Sequence, residues 1–189
     1  MKVIINIDGG SRGNPGIGAA AYVIKDQSGK ILAQEGHYIA HCTNNQAEYT
    51  ALRLALIKAA ELGAKELSII SDSLLLVKQY LGEYKIKNPD LAERMTEIRQ
   101  LAKPFHIQIQ HVLRHLNKEP DALANKAMDL KQSVGFNPIQ HLPPVTCASS
   151  QTQDNTVNGV VVETIVRDEK GSAKTKKAAS NQPSLFDEF

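Results

Sequence analysis

Lys2-Val3-Ile4-Ile5-Asn6-Ile7-Asp8, followed at once by Gly9-Gly10, is the stretch whose reading decides the fold. Val3, Ile5 and Ile7 alternate with Lys2, Ile4, Asn6 and Asp8, so an apolar residue falls in both sets. The pattern predicts a β-strand buried largely on both faces and ending at Asp8. Gly9-Gly10 to Gly16 then reads as a glycine-rich turn. Gly18 to Lys25 and Ile31 to Ile39 read as two more strands around Asp26-Gln27-Ser28-Gly29, a hairpin signal.

Further along, the period lengthens from two to between three and four. A long helix is predicted from about Asn45 to Leu62, with Thr43 or Asn44 as its N-cap and Gly63 as its stop. Leu67 to Ser71 reads as a fourth strand, Leu74 to Leu81 and Leu91 to Ala102 as helices, and Phe105 to Leu113 as a fifth strand. Asn117 is expected to cap a last helix through Ala122 to Met128, with Pro120 tolerated because it lies in the first turn. The order β-β-β-α-β-α-α-β-α predicts an α/β fold, a five-stranded mixed sheet flanked by helices.

The chain has 189 residues, 42% of them hydrophobic, enough for one core of ordinary size. With 22 Lys+Arg against 20 Asp+Glu it lacks the strong basic excess of a non-specific nucleic-acid binder, so any such function must come from local placement of charge. Two distant cysteines, Cys42 and Cys147, suit a reducing compartment and exclude a disulfide scaffold. Neither a signal peptide nor an apolar run of membrane-spanning length is evident, so a cytoplasmic location with no membrane partner is expected. The composition changes after Leu130, and residues 131–189 read as a mostly disordered tail with one short strand near Val160 to Val166. The structured domain is accordingly placed at 1–130.

The informative residues are four acids. Asp8 closes the first predicted strand and Asp72 the fourth, and a crossover through the long helix would set these ends side by side. Glu48 falls on the apolar stripe of the long helix, ahead of Leu52, Ala55, Ala59 and Leu62, so it points toward the sheet. Asp121 opens the last helix, whose first turn can pack over the same strand ends. An Asp at a strand end or a helix start is commonly structural, but an acid on a buried stripe is not explained that way. Clustered carboxylates repel and raise one another's pKa, which makes sense where divalent cations neutralise them. An oxygen-rich site suits Mg²⁺, with Mn²⁺ an alternative, and two such ions roughly 3.5–4 Å apart serve in-line phosphoryl displacement.

Four segments carry a resemblance. Asp8-Gly9-Gly10-Ser11-Arg12-Gly13-Asn14-Pro15-Gly16, Thr43-Asn44-Asn45-Gln46-Ala47-Glu48, Ser71-Asp72-Ser73 and Asn117-Lys118-Glu119-Pro120-Asp121-Ala122-Leu123-Ala124 resemble, in order, the motifs of type 1 ribonucleases H. The resemblance covers about residues 1–129. It implies the ribonuclease H-like fold and hydrolysis of the RNA strand of an RNA–DNA hybrid by a two-metal-ion mechanism, leaving 5′-phosphate and 3′-hydroxyl ends. Asp8, Glu48, Asp72 and Asp121 would be the metal-binding, catalytic carboxylates. Asn14, Asn44 and Asn45 match hybrid-contacting positions, and Thr43 one that helps hold a DNA phosphate. An Asn side chain both donates and accepts, as recognition of a 2′-OH requires; helix capping is the competing explanation for Asn44 and Asn45. His115 matches a histidine that assists product release or proton transfer.

The chain also departs from the family. The loop from His115 to Asp121 is short, Pro120 replaces a residue that is often Ala, and the basic, tryptophan-bearing protrusion is missing, leaving Lys85, Lys87, Arg94 and Arg99 in that region. At the C-terminus, Gln182-Pro183-Ser184-Leu185-Phe186 resembles the short peptide with which bacterial proteins dock on the sliding clamp, with Leu185 and Phe186 filling a pocket and Gln182 bonding at its edge. A monomer is expected. The rival readings are a related 3′–5′ exonuclease, which lacks the Gly-Asn-Pro-Gly turn, and a non-catalytic hybrid-binding or clamp-adaptor protein, which has no need of four clustered acids.

Overall fold

A computed structural model describes residues 1–136, together with Val166–Arg167 and Ala173–Lys174. In chain order the first unit contains β1 (Lys2–Gly13), β2 (Gly16–Lys25), β3 (Ile31–Cys42), α1 (Asn44–Glu61), β4 (Glu66–Ser71), α2 (Leu74–Tyr80), α3 (Pro89–Ala102), β5 (His106–His111), a 3-10 turn (Arg114–Leu116), α4 (Lys118–Leu130) and β6 (Val134–Phe136). The strands form one mixed sheet in the order β5-β4-β1-β2-β3-β6. β1, β2, β3 and β6 pair antiparallel in turn, while β4 runs parallel to both β1 and β5. The expected mixed sheet is present, with six strands where the sequence predicted five.

Each face of the sheet has its own core. Val3, Ile5 and Ile7 of β1 and Tyr22 and Ile24 of β2 pack with Leu52, Ala55 and Ala59 of α1 and with Leu91, Met95 and Ile98 of α3. On the opposite face Ala19 and Ala21 meet Ala124, Ala127 and Met128 of α4. Small residues on both sides let α4 lie close. Gly36 of β3 makes the closest approach, because a Cβ there would stand 2.4 Å from the Leu123 carbonyl oxygen.

Several boundaries differ from the sequence reading, each for a physical reason. β1 does not end at Asp8: it continues to Gly13, pairing Gly9, Gly10, Ser11 and Arg12 with Ala20, Ala19, Gly18 and Ile17. Gly9 serves close approach, since a Cβ there would fall 2.2 Å from the Glu48 amide nitrogen, and only Gly13, with φ 92°, leads into the turn. Only Asn14-Pro15 forms the turn. α3 begins at Pro89, two residues earlier than expected, because the Asn88 side chain caps it through the Leu91 amide, and Pro suits the first helical position. Asn117 stands at the N-cap position of α4 but makes no capping bond with its side chain.

The sixth strand lies just past residue 130. α4 ends with Lys131 in the left-handed region (φ 51°), which turns the chain back toward β3. The Ser133 hydroxyl then accepts the Tyr38 N–H at 3.1 Å, and Val134–Phe136 pairs with Gln34–Gly36.

In a second unit, 150–189, β7 (Val166–Arg167) pairs antiparallel with β8 (Ala173–Lys174). The short strand expected from Val160 thus coincides with the described residues only at Val166; 160–165 lie outside them. So do Gln182, Leu185 and Phe186. No helix among the described residues is long and apolar enough to cross a membrane.

The Gly36 contact is tested by Gly36→Ala. Its Cβ can be accommodated only by moving α4 off the sheet, and overpacking of this kind costs about 1–3 kcal/mol. A lower melting temperature, with the fold retained by circular dichroism, is the expected outcome.

Candidate active site

The sheet and two helices bring the acids to one place. Asp8 projects from β1 on the face that carries α4, while Asp72 follows the last residue of β4, whose Ser71 lies opposite Ile7. Glu48 reaches in from α1, where the Gly9 contact presses the second turn of the helix against β1. Carboxylate oxygens of Asp8, Glu48 and Asp72 all lie within 4.8 Å of one another. Asp121, in the first turn of α4, lines the same cleft of about 450 Å³ but stands outside that trio. The sequence expectation of four acids at one site is met in this form: three in a tight cluster and a fourth at its margin.

Their electrostatics follow from burial. Asp8 and Glu48 are each only 6% exposed. Burial, and then the charges of Asp72 and Asp121, push the Asp8 carboxyl from its ordinary 3.8 to about 7. Burial and the charges of Asp8 and Asp72 raise Glu48 well above the usual carboxylate range. Arg114 opposes both shifts, and the Gly9 N–H bonds Asp8.

Two groups that sequence reasoning missed organise this cluster. Asn117, 1% exposed, donates from Nδ2 to the Ile7 carbonyl at 2.8 Å and to Asp72 Oδ1 at 3.2 Å, and its Oδ1 accepts from Asn6 at 3.0 Å. It therefore ties β1, the end of β4 and the start of α4 together instead of capping the helix. Arg114 lines the cleft and donates to Asp121 Oδ1 at 2.7 Å, while Asn125 donates to Asp121 Oδ2 at 3.2 Å. An Asn before a helix and an Arg after a strand each have commoner meanings, so neither signalled its role.

His115 is not brought into the site: it is exposed on the 3-10 turn and is not among the cleft-lining residues. Its neighbour Arg114, also exposed, is the residue of this turn that lines the cleft.

The expected hybrid-contacting residues do gather at the start of α1. Thr43 is the N-cap: its hydroxyl accepts the Gln46 N–H and Gln46 Oε1 accepts the Thr43 N–H at 2.8 Å, a reciprocal capping box. Asn44 and Asn45 are thereby relieved of capping. The Asn44 N–H donates to Asn14 Oδ1 at 3.1 Å, which joins the β1–β2 turn to α1. Gln46 also donates to Asp90 at 2.9 Å, linking the first turns of α1 and α3. Of the four cations in place of the protrusion, Arg94 pairs with Asp90 and Arg99 donates to the Gln79 carbonyl, whereas Lys85 and Lys87 are exposed.

Residues 6–127 match the protein family described as reverse transcriptase-like. The crystal structure of RNase H1 from the archaeon Halobacterium salinarum is 42% identical, with a TM-score of 0.67 over 68% of this chain and 98% of that one. The chain belongs to the ribonuclease H family. LC11-RNase H1, isolated from compost by a metagenomic approach and solved in complex with an RNA/DNA hybrid, is 36% identical, with a TM-score of 0.66 over 68% of this chain and 98% of that one. A bifunctional protein of Mycobacterium tuberculosis is 44% identical over 131 residues, 68% of this chain. Those residues span only 36% of the mycobacterial protein.

A metal fits these residues. The donor set is all oxygen, its three carboxylates converge, and Glu48 Oε2 is buried without a hydrogen-bond partner. Such an orphaned acceptor is costly unless a cation or proton meets it.

The raised Asp8 carboxyl gives a pH test in chelator. Between pH 3.8 and about 7 the folded protein holds a proton that the unfolded chain releases, so Asp8 contributes its full stability at low pH and loses it as the pH rises through 7. Asp8→Asn removes that dependence. Its melting temperature is expected to exceed that of the parent by several degrees at pH 8, with the gap closing toward pH 4. A gap independent of pH would contradict the assignment.

Proposed function

We propose that this chain is an endoribonuclease of the type 1 ribonuclease H kind that hydrolyses the RNA strand of RNA–DNA hybrids, leaving 5′-phosphate and 3′-hydroxyl ends. One observation carries the reading: the convergence of Asp8, Glu48 and Asp72 in an open cleft around an unpartnered Glu48 oxygen. The hybrid bound to LC11-RNase H1 supports the substrate.

Asp8, Glu48, Asp72 and Asp121 would hold two divalent ions, Mg²⁺ or Mn²⁺. When bound, these ions supply positive charge that lowers the pKa of water and stabilises the oxygens of an in-line displacement. The rest is the work of the chain. Asn117 fixes the rotamer of Asp72 against β1, so that carboxylate does not have to be ordered at the moment of reaction. Arg114 and Asn125 hold Asp121 between them at the cleft margin. Asn14, Asn44 and Asn45, grouped by the Asn14–Asn44 bond, present amide donors and acceptors to the minor groove, where a 2′-OH distinguishes RNA from DNA. Thr43 stands with them at the positive end of α1, which favours a phosphate of the DNA strand.

Asp72→Asn separates catalysis from binding. In Mg²⁺ the parent is expected to cut an end-labelled hybrid internally while leaving RNA duplex, DNA duplex and single-stranded RNA intact. The variant should lose at least a hundredfold in rate while still binding the hybrid. Cutting by both proteins, or by neither in Mg²⁺ and Mn²⁺, would overturn the catalytic reading.

For the C-terminal peptide, Gln182, Leu185 and Phe186 are proposed to dock on a bacterial sliding clamp, which would raise the local concentration of the enzyme at replicating DNA. A labelled peptide of residues 181–189 should bind a purified clamp, and the Leu185→Ala, Phe186→Ala double variant should not. Equal binding of both peptides, or of neither, ends this proposal.

A further inference from the structure

The cleft presents a problem to any polyanion. Four carboxylates line it, and among its lining residues only Arg12 and Arg114 are cations. Arg114 stands among the acids themselves, donating to Asp121 at 2.7 Å. Arg12 sits at the other end, four residues past Asp8 on the same strand and face, about 13 Å away at the usual rise of a strand. Its guanidinium pairs with Asp129 at 2.6 Å, and Asp129 belongs to the last turn of α4, outside the cleft lining.

We propose that Arg12 is a phosphate-binding residue for the strand being cut, held ready by Asp129 and handed to a phosphate when the hybrid enters. The inference rests on the hybrid-cutting reading and adds a residue to it. A duplex rises 3.4 Å per nucleotide of each strand, so 13 Å along the cleft reaches a phosphate roughly two to four nucleotides from the acids. Nothing else lining that end offsets the repulsion between the acids and the incoming strand.

The Arg12–Asp129 pair is built for exchange. The two side chains are 50% and 61% exposed, so water screens their attraction and each stays hydrated when they part. Asp129 is also poorly placed for its own charge, an anion near the negative end of a helix. A phosphate offers the guanidinium the same paired-oxygen geometry as the carboxylate, so the fork loses no hydrogen bonding in the swap. Without Asp129 the long Arg12 side chain would range over many rotamers, and the pair keeps it at the cleft wall.

The alternative is that Arg12 merely neutralises the end of α4. The two readings differ in sign at Asp129. Binding of the full chain to a fluorescent hybrid in chelator, across a salt series, is measured for the parent, Arg12→Gln and Asp129→Asn, with thermal melts alongside. Both variants break the same ion pair, but only Arg12→Gln leaves Asp129 uncompensated at the negative end of α4, so its melting temperature should be the lower of the two. Their affinities should move in opposite directions: Arg12→Gln is expected to weaken binding three- to tenfold and to reduce the slope of log K against log salt by about 0.9, the value of one phosphate contact. Asp129→Asn is expected to tighten binding two- to threefold with the slope unchanged or steeper. Equal affinities and slopes for parent and Arg12→Gln, or weakening by both variants alike, would overturn the proposal. A parent that neither binds nor cuts the hybrid would instead bring down the reading beneath it.

Discussion

The backbone contact between Gly9 and the second turn of α1 is the constraint on which the site depends. No side chain can occupy position 9, because a Cβ would stand 2.2 Å from the Glu48 amide nitrogen. Helix and strand therefore meet main chain to main chain, and the Glu48 carboxylate arrives beside Asp8 without a long reach. The same docking lays Leu52, Ala55 and Ala59 along β1 and β2, so the apolar face of α1 and its single buried acid are placed together. α1 then returns the chain to β4, parallel to β1, and Asp72 emerges level with Asp8. Core packing and active-site geometry are one construction here.

What that construction opposes is charge. Burial, and then the charges of their neighbours, raise the Asp8 and Glu48 carboxyls, whose oxygens converge with those of Asp72 within 4.8 Å. The protein limits the repulsion with groups from every surrounding element: the Gly9 N–H of β1, the Asn117 amide ahead of α4, and the Arg114 guanidinium after β5. None of them fills the space beside Glu48 Oε2. The acids are thus held in place by close packing and partial compensation, and the uncompensated negative charge is what a bound cation would neutralise.

Much of this was legible in the sequence because it rests on period and residue type. The doubly apolar Val3–Ile7 run marked a central strand, and the acid on the stripe of α1 marked a carboxylate aimed at the sheet. The misreadings share a cause. A glycine run reads locally as a turn, yet at 9–13 the strand continues and Gly9 permits the close approach of α1. Capping is the commonest local use of an Asn before a helix, whereas the partners of Asn117 are Asn6, Ile7 and Asp72, between 45 and 111 residues away in the chain. Nothing in a linear pattern tells which of two neighbours on a 3-10 turn lines the cleft, and it is Arg114, not the more conspicuous His115, that does so. β6 was invisible for a similar reason: three residues with a glycine at the centre, reached through a left-handed Lys131, carry almost no periodic signal.

The bond between Gln46 and Asp90 bears on how this scaffold tolerates change. It pins the start of α3 to the start of α1, while the other end of the α2–α3 connection is closed by the Glu83 and Tyr84 amides on the Lys78 carbonyl. The intervening segment is anchored at both ends by contacts that do not depend on its length. The entropy of closing such a loop grows only with the logarithm of its size, about 0.6 kcal/mol per doubling. Added length between these anchors, at residues 85–87, therefore costs little closure entropy while the turn that carries Thr43, Asn44 and Asn45 keeps its position. The length of that connection is thus decoupled from the register of α1, and so from the placing of Glu48.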